Sequence, residues 1–304
     1  MSSVGIDVGG TKCHGVRVDV NGEVLAEVRY PTPPVAELVP LLAAMFHELG
    51  GTTALGIGVP GLITPEGVVK ASPNMPGAFN VPVGPQLREQ LGIAVHVEND
   101  ATMAAFGEWK AGAARGAENA VMVTLGTGIG GGIVMSGKLQ RGANGFAGEI
   151  GHMVVQRDGD ECVCGRRGCW ERYASGSALK MLSGGSSGEE VFAAAVAGDA
   201  KALEVVDAYA QWIAVGLASL TNICDPEIIV LGGGVVDSVG VVMDAVRTSF
   251  IDALYSAVGD GYVSAASIID KLVTALGADD SHPEPTMEVF ANRVPTTRRS
   301  SNAI

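Results

Sequence analysis

Glycine, aspartate and threonine stand together in Asp7-Val8-Gly9-Gly10-Thr11-Lys12, a combination suited to an anion. Two glycines let the backbone approach a phosphate, and consecutive N–H groups can cradle its oxygens. A carboxylate at the end of the preceding strand can hold magnesium through water, because that ion prefers few carboxylates together with phosphate and water. A plain hairpin turn also favours Gly-Gly, so Asp7, Gly9, Gly10 and Thr11 leave both readings open. Lys12 could reach a phosphate or stand in solvent at a strand end. A second run, Gly126-Thr127-Gly128-Ile129-Gly130-Gly131-Gly132, lies between two apolar stretches of strand character. A dinucleotide fingerprint needs a strand before it and a helix after it, so that reading fails here. A second phosphate loop at Gly126, Thr127 and Gly128, facing the first, accounts for it better. The third run, Gly232-Gly233-Gly234, ends an apolar strand ahead of a helix. It suits an adenosine lying flat on bare backbone, or a simple turn between two elements.

Glu98-Asn99-Asp100-Ala101 follows a strand and opens a helix. Asp is a favoured N-cap, so capping is the plain role for Asp100. A carboxylate there could instead accept the proton of an attacking hydroxyl, which phosphoryl transfer to an alcohol requires. Asn99 offers both a donor and an acceptor to sugar hydroxyls. Further on, Glu149-Ile150-Gly151-His152 precedes Cys162, Cys164 and Cys169. Three thiolates and one imidazole are the full complement of a closed structural zinc site, although Cys-x-Cys is tighter than finger spacing. The alternative is three reduced thiols beside a chance histidine. A zinc here would pin a long loop and orient Glu149 and Glu171 towards one pocket.

The elements that must position these residues repeat one plan. Val4–Val8, 15–20 and Val24–Tyr30 predict a three-stranded meander with its turn at Asn21-Gly22. Helical spacing over 35–49, a strand over Ala54–Val59, a helix at 83–91, a strand at 93–97 and a helix from about 101 to 113 complete a first half. At Ala120 a second hairpin begins, and 152–172 reads as a cysteine-rich loop. Helices at 176–182, 189–197 and 200–223, a strand at 227–231 and a helix over about 239–254 follow. The expected division is an N-terminal α/β domain over 1–117, a C-terminal α/β domain over 118–278 and a weakly structured tail over 279–304.

With 304 residues and 47% hydrophobic content, the chain can build two cores, and it carries 43 glycines for tight turns. A formal charge of −13 without a basic run argues against a nucleic-acid surface. No basic segment followed by an apolar stretch opens the chain, so a cytoplasmic protein with reduced cysteines is expected. The longest uncharged run, between Glu118 and Lys138, contains six glycines and predicts two strands around a loop rather than a membrane span.

Together these residues resemble the ROK family of bacterial sugar kinases and sugar-responsive repressors. The similarity runs in order from Val4 to about Leu254. It takes in Asp7–Lys12, Gly58-Val59-Pro60-Gly61, Pro73-Asn74, Glu98–Ala101, Gly126–Gly132, Glu149–His152, Cys162–Glu171 and Leu231–Val235. The run from Gly168 to Gly176 looks most like the glucokinase branch. The resemblance implies an actin-like, ribonuclease H-like ATPase fold, two α/β domains closing over a cleft. It makes Asp100 the general base for the sugar 6-hydroxyl and places Gly61, Asn74, Asn99, Glu149, His152 and Glu171 around the sugar. His152 would also ligate zinc beside Cys162, Cys164 and Cys169, one ring nitrogen for each task. ATP with magnesium is the implied donor, glucose the leading acceptor and a homodimer the implied assembly. Kinases of N-acetylhexosamines, mannose or fructose share this scaffold. Polyphosphate as donor would favour a basic track, which the net charge of −13 does not suggest. Repressors of the family carry a helix-turn-helix ahead of the kinase-like part, whereas the first strand here is expected within five residues of the start. The family also closes on an Ala-Leu-Gly segment that Ala275-Leu276-Gly277-Ala278 begins and Asp279-Asp280 leaves.

Overall fold

A computed structural model of the chain describes residues 2–51, 53–235, 240–255 and 272–274. The Ala275 segment, the tail from 279 and the start of the helix expected at 239 lie outside the described residues.

Alternation of Val4, Ile6 and Val8 buries one face of β1 (Ser3–Val8). It joins β2 (Lys12–Val18) and β3 (Val24–Pro31) in an antiparallel meander. On α1 (Val35–Glu48), Leu38, Val39, Leu42, Ala43, Met45 and Phe46 recur at helical spacing and bury one face. β4 (Ala54–Val59) then pairs parallel to β1. β5 (Leu62–Ile63), β6 (Val69–Ala71) and β7 (Phe79–Val81) form a small sheet of their own that the sequence did not predict. α2 (Val83–Leu91) leads to β8 (Ala94–Asn99), parallel to β4, and α3 (Asp100–Lys110) leaves the end of β8.

The plan then repeats. β9 (Ala120–Leu125), β10 (Ile129–Met135) and β11 (Lys138–Leu139) are again antiparallel, and the long uncharged run is the β9–β10 hairpin. A 3-10 turn at Ile150–His152 and the short α4 (Glu171–Ala174) bracket the cysteine-rich loop. Next come α5 (Gly176–Leu182), α6 (Gly188–Val196), α7 (Ala200–Cys224), β12 (Ile228–Gly232), α8 (Gly240–Tyr255) and β13 (Leu272–Thr274). The two five-stranded sheets have orders β3-β2-β1-β4-β8 and β11-β10-β9-β12-β13, the same plan in each half. α7 is long and apolar enough to cross a membrane. Its Tyr209, Ile213, Leu217 and Leu220 are instead buried in the core of the second half with Trp170.

In both sheets the loops of interest leave the carboxyl ends of parallel strands. Asp7 of β1 lies beside Gly58 of β4, and Val59 beside Asn99 of β8. Gly232 of β12 lies beside Thr124 of β9. Such ends are where open α/β sheets bind ligands.

α3 packs on β4 and β8 on one side and on β9 and β10 on the other. Only glycine permits that second approach. A Cβ on Gly130 would lie 2.6 Å from Ala101 Cβ, and one on Gly132 would collide with Ala105 Cβ. The glycine run therefore divides where the sequence placed the turn and the strand. Gly126–Gly128 turn the hairpin, while Gly130 and Gly132 belong to β10 and form the bed of α3. Gly132→Val should destabilise the fold by about 1–3 kcal/mol or more through overpacking. Gly107→Ala, in α3 with no atom within 4 Å of the added Cβ, should stabilise it by roughly 0.5–1 kcal/mol. Urea melts of both variants check the pair.

Candidate active site

The first loop is closed by Val8 facing Cys13 across the β1–β2 hairpin. Gly9 N–H donates to Lys12 O at 2.9 Å. Thr32, just past β3, holds the loop from outside: its hydroxyl donates to Gly9 O at 2.6 Å and its N–H donates to Thr11 O at 3.0 Å. Sequence reasoning gave Thr32 no role, and only a polar residue after a predicted strand could have hinted at one. Gly10 approaches Asn74, a Cβ there lying 3.9 Å from Asn74 O. Thr11, Lys12 and Asn74 are exposed.

Asp7 and Asp100 border one point. A Cβ built on Gly58 would lie 3.5 Å from Asp7 Oδ1 and 3.4 Å from Asp100 Cα. Burial holds the Asp100 carboxyl above its usual range, although the Ala101 N–H donates to it at 2.9 Å and opposes the shift. Asp7 is likewise raised, first by the protein atoms crowding it and then by the charge of Asp100, against the pull of His14 and Lys12.

The plain alternative for Asp100, capping α3, falls to its neighbour. Asn99 is the N-cap of α3: its Oδ1 accepts from Thr102 N–H at 3.0 Å. Asn99 ends β8 with extended backbone, φ −59° and ψ 140°, the conformation an N-cap needs, so Asp100 falls inside the first turn. The Asn99 amide also donates to Gly61 O at 3.2 Å. Gly61 has φ +114° and no room for a side chain against Ala71 and Ser72.

Glu149 is the next acid. Its carboxyl is raised by burial above all; His152 lowers it, while Asp100 and Glu171 raise it. His152 Nε2 lies 3.8 Å from Glu149 Oε2, while Nδ1 lies 3.6 Å from Glu171 Oε1 and 3.6 Å from Cys162 Sγ. The two ring nitrogens thus face different neighbours. The donor atoms of His152, Cys162, Cys164 and Cys169 all lie within 4.8 Å of one another, with Cys164 Sγ 3.6 Å from Cys169 Sγ. The edges of a tetrahedral zinc–sulfur site are roughly 3.8 Å, so this set fits the metal. Trp170, between the last thiol and Glu171, is buried and donates its ring N–H to Trp212 O at 2.7 Å. That bond fixes the loop to α7.

Glu171 brings the second hairpin in. A Cβ on Gly128 would lie 2.8 Å from Glu171 Oε2. The same hairpin is anchored to α5, where Gly176 N–H donates to Gly126 O at 2.7 Å and the Ser177 hydroxyl donates to Thr127 O at 2.7 Å. Val235 N–H donates to Leu125 O, drawing the 232–234 turn onto the same strand end. Asp7, Asp100, Glu149, Glu171 and Gly128 therefore connect the two hairpins residue by residue. Beside the third glycine run is a cavity of about 190 Å³ lined by Gly176, Leu179, Ser187, Phe192, Gly234 and Val235. A larger hollow of about 500 Å³ between α1 and α2, at Val35, Val39, Val81 and Gln86, shares no lining residue with this site.

The raised Asp100 carboxyl fixes a sign. Between its ordinary value of 3.8 and its raised one, the folded chain binds more protons than the unfolded chain, so stability falls as pH rises through that window. Asp100→Asn should therefore melt higher than the parent at neutral pH. The advantage should shrink as the pH drops to the ordinary carboxyl value, a trend that thermal melts across pH can check.

The ROK family profile matches residues 3–279. The chain is 35% identical over 278 residues to a glucokinase of Streptomyces coelicolor, covering 82% of this chain and 86% of that one. It is 32% identical over 289 residues to the xylose repressor of Bacillus subtilis, with 90% and 75% covered. Among solved structures, a ROK family glucokinase from Streptomyces griseus in complex with glucose and AMPPNP superposes with a TM-score of 0.77 at 34% identity, covering 90% and 94%. The two-domain actin-like, ribonuclease H-like architecture is thus shared, and the chain belongs to the ROK family.

Proposed function

We propose that this chain transfers the γ-phosphoryl group of ATP to the 6-hydroxyl of a hexose, with glucose as the preferred acceptor. The observation that carries the reading is a half-buried carboxylate, Asp100, next to Asp7 of one glycine loop and electrostatically coupled to Glu149 at the other side of the site. The Streptomyces griseus glucokinase solved with glucose and AMPPNP supports the substrate pair.

Phosphoryl transfer asks the protein for positioning and charge stabilisation more than for covalent chemistry. In this reading Gly61, Asn74, Asn99, Glu149, His152 and Glu171 hold the sugar hydroxyls. Asp100 accepts the proton of the 6-hydroxyl as it attacks, and its raised basicity suits that task. Asn99 can serve the sugar only with what its cap and its bond to Gly61 leave over: one amide proton and one carbonyl lone pair. Asp7, Gly9, Gly10, Thr11 and Lys12 take the phosphates from one side, and Gly126, Thr127 and Gly128 from the other. Asp7 would hold magnesium, which when bound would supply positive charge to the phosphates and offset the repulsion between Asp7 and Asp100. The 190 Å³ cavity beside Gly232, Gly233 and Gly234 takes the adenine ring between bare backbone and the apolar Leu179 and Phe192. His152, Cys162, Cys164 and Cys169 would hold zinc, which when bound would crosslink the loop and keep the imidazole facing Glu149. Closure of the two halves excludes water that would compete for the phosphoryl group.

A coupled assay with ATP and magnesium against glucose, mannose, fructose and N-acetylglucosamine tests this, with polyphosphate as an alternative donor. Turnover should be highest with ATP and glucose, and Asp100→Ala should lower kcat by about 10²–10⁴-fold. A folded, zinc-loaded parent that phosphorylates no sugar refutes the kinase reading and leaves a sugar-sensing protein. Metal analysis should find one zinc per chain and little in Cys164→Ser, whose thiol is exposed enough for the change to spare packing. Equal zinc in both proteins removes the metal assignment.

A further inference from the structure

Glu98 is a buried acid that the chemistry above does not use. It sits on β8 of the first half at 7% exposure, two residues before Asp100. One of its oxygens accepts from Asn99 N–H at 3.3 Å. The other accepts from Nε of Arg141 at 2.5 Å. Arg141 belongs to the second half, two residues past β11, and its side chain is half exposed. From it a tight turn runs to the sugar-side acid. Arg141 O accepts from Ala147 N–H at 3.1 Å, closing the turn on itself. Gly145, with φ +85°, is pressed onto Ile63 O and Pro65 of the first half. Gly148, with φ +99°, lies against Gly131 O and Thr102, and Glu149 follows.

We infer that the Glu98–Arg141 pair is a positioning strap between the halves, setting the distance from the Asp100 base to Glu149 at the hexose end of the cleft. The inference rests on the proposed sugar-kinase reading for its kinetic consequence, while the strap itself is a statement about the turn 141–148. A buried acid that loses a cationic partner is costly, so the pair holds its geometry firmly. The strap ends at Gly131 of β10 and at Glu149, outside the residues assigned to the nucleotide, so its effect falls first on the sugar.

The test compares the parent with Arg141→Met, Arg141→Lys, Glu98→Gln and the double variant Glu98→Gln/Arg141→Met. Arg141→Met should raise KM for glucose by about tenfold, with KM for ATP unchanged and kcat changed less than about threefold. Arg141→Lys should recover part of the loss, because one ammonium replaces one arm of the guanidinium. The double variant should be no worse than the poorer single, the non-additivity expected of two groups acting through one contact. Hydrogen exchange should show amides 142–149 exchanging faster in Arg141→Met, with those of 9–12 unaltered. Exchange over 142–149 equal to the parent's overturns the strap, as do additive losses in the double variant. A parent without kinase activity refutes the reading of the site instead, and the exchange comparison then decides the strap alone.

Discussion

The close approach of α3 to β10 is the contact on which the rest of the molecule depends. Ala101 and Ala105 press on strand positions where even a methyl group would not fit, so Gly130 and Gly132 bring a helix and a sheet from different halves to backbone distance. Because α3 begins directly where β8 ends, that contact also fixes Asn99 and Asp100 against the second sheet. Interiors at this packing density resist small displacements, so the site inherits the rigidity of its scaffold. The glycines that turn the hairpin and those that admit a helix are neighbours in one run but serve different ends.

Much of this was legible in the residues. Apolar alternation marked the meander, where one buried face imposes a period of two, whereas β9 and β12 showed as short continuous apolar runs, as strands buried on both faces do. Among the described residues, six of the seven α-helices longer than a single turn agree with their expected spans to within about two residues, and α3 stops at Lys110 rather than near 113. The small β5–β6–β7 sheet was not legible: Leu62–Ile63 and Val69–Ala71 are too short to show a period, and their pairing is set by long-range contacts. The capping of α3 went to Asn99 rather than Asp100, because strand pairing through Asn99 decided where the helix begins.

The candidate site divides in the same manner. Motif residues could be found from their types alone, since glycines, acids and thiols announce their chemistry. Thr32, Ser177 and Arg141 could not, and Glu98 stood in its motif without a role, because their importance lies in partners distant in sequence: Gly9 for Thr32, Thr127 for Ser177, and each other for Glu98 and Arg141. Local chemistry is written in local sequence, whereas support for it is written in the fold. Zinc-ligand candidates form an intermediate case: Cys162, Cys164 and Cys169 cluster by spacing, yet His152 joins them only because its 3-10 turn faces the loop.

The crowding of Asp7, Asp100, Glu149 and Glu171 has a consequence for what leaves the cleft as well as for what enters it. In the proposed reaction a neutral sugar would meet Asp100, Glu149 and Glu171 as hydrogen-bond acceptors. Its phosphorylated form would carry negative charge among the same acids, at short range in a partly buried cleft. On that reading the pocket that welcomes the acceptor also repels the product.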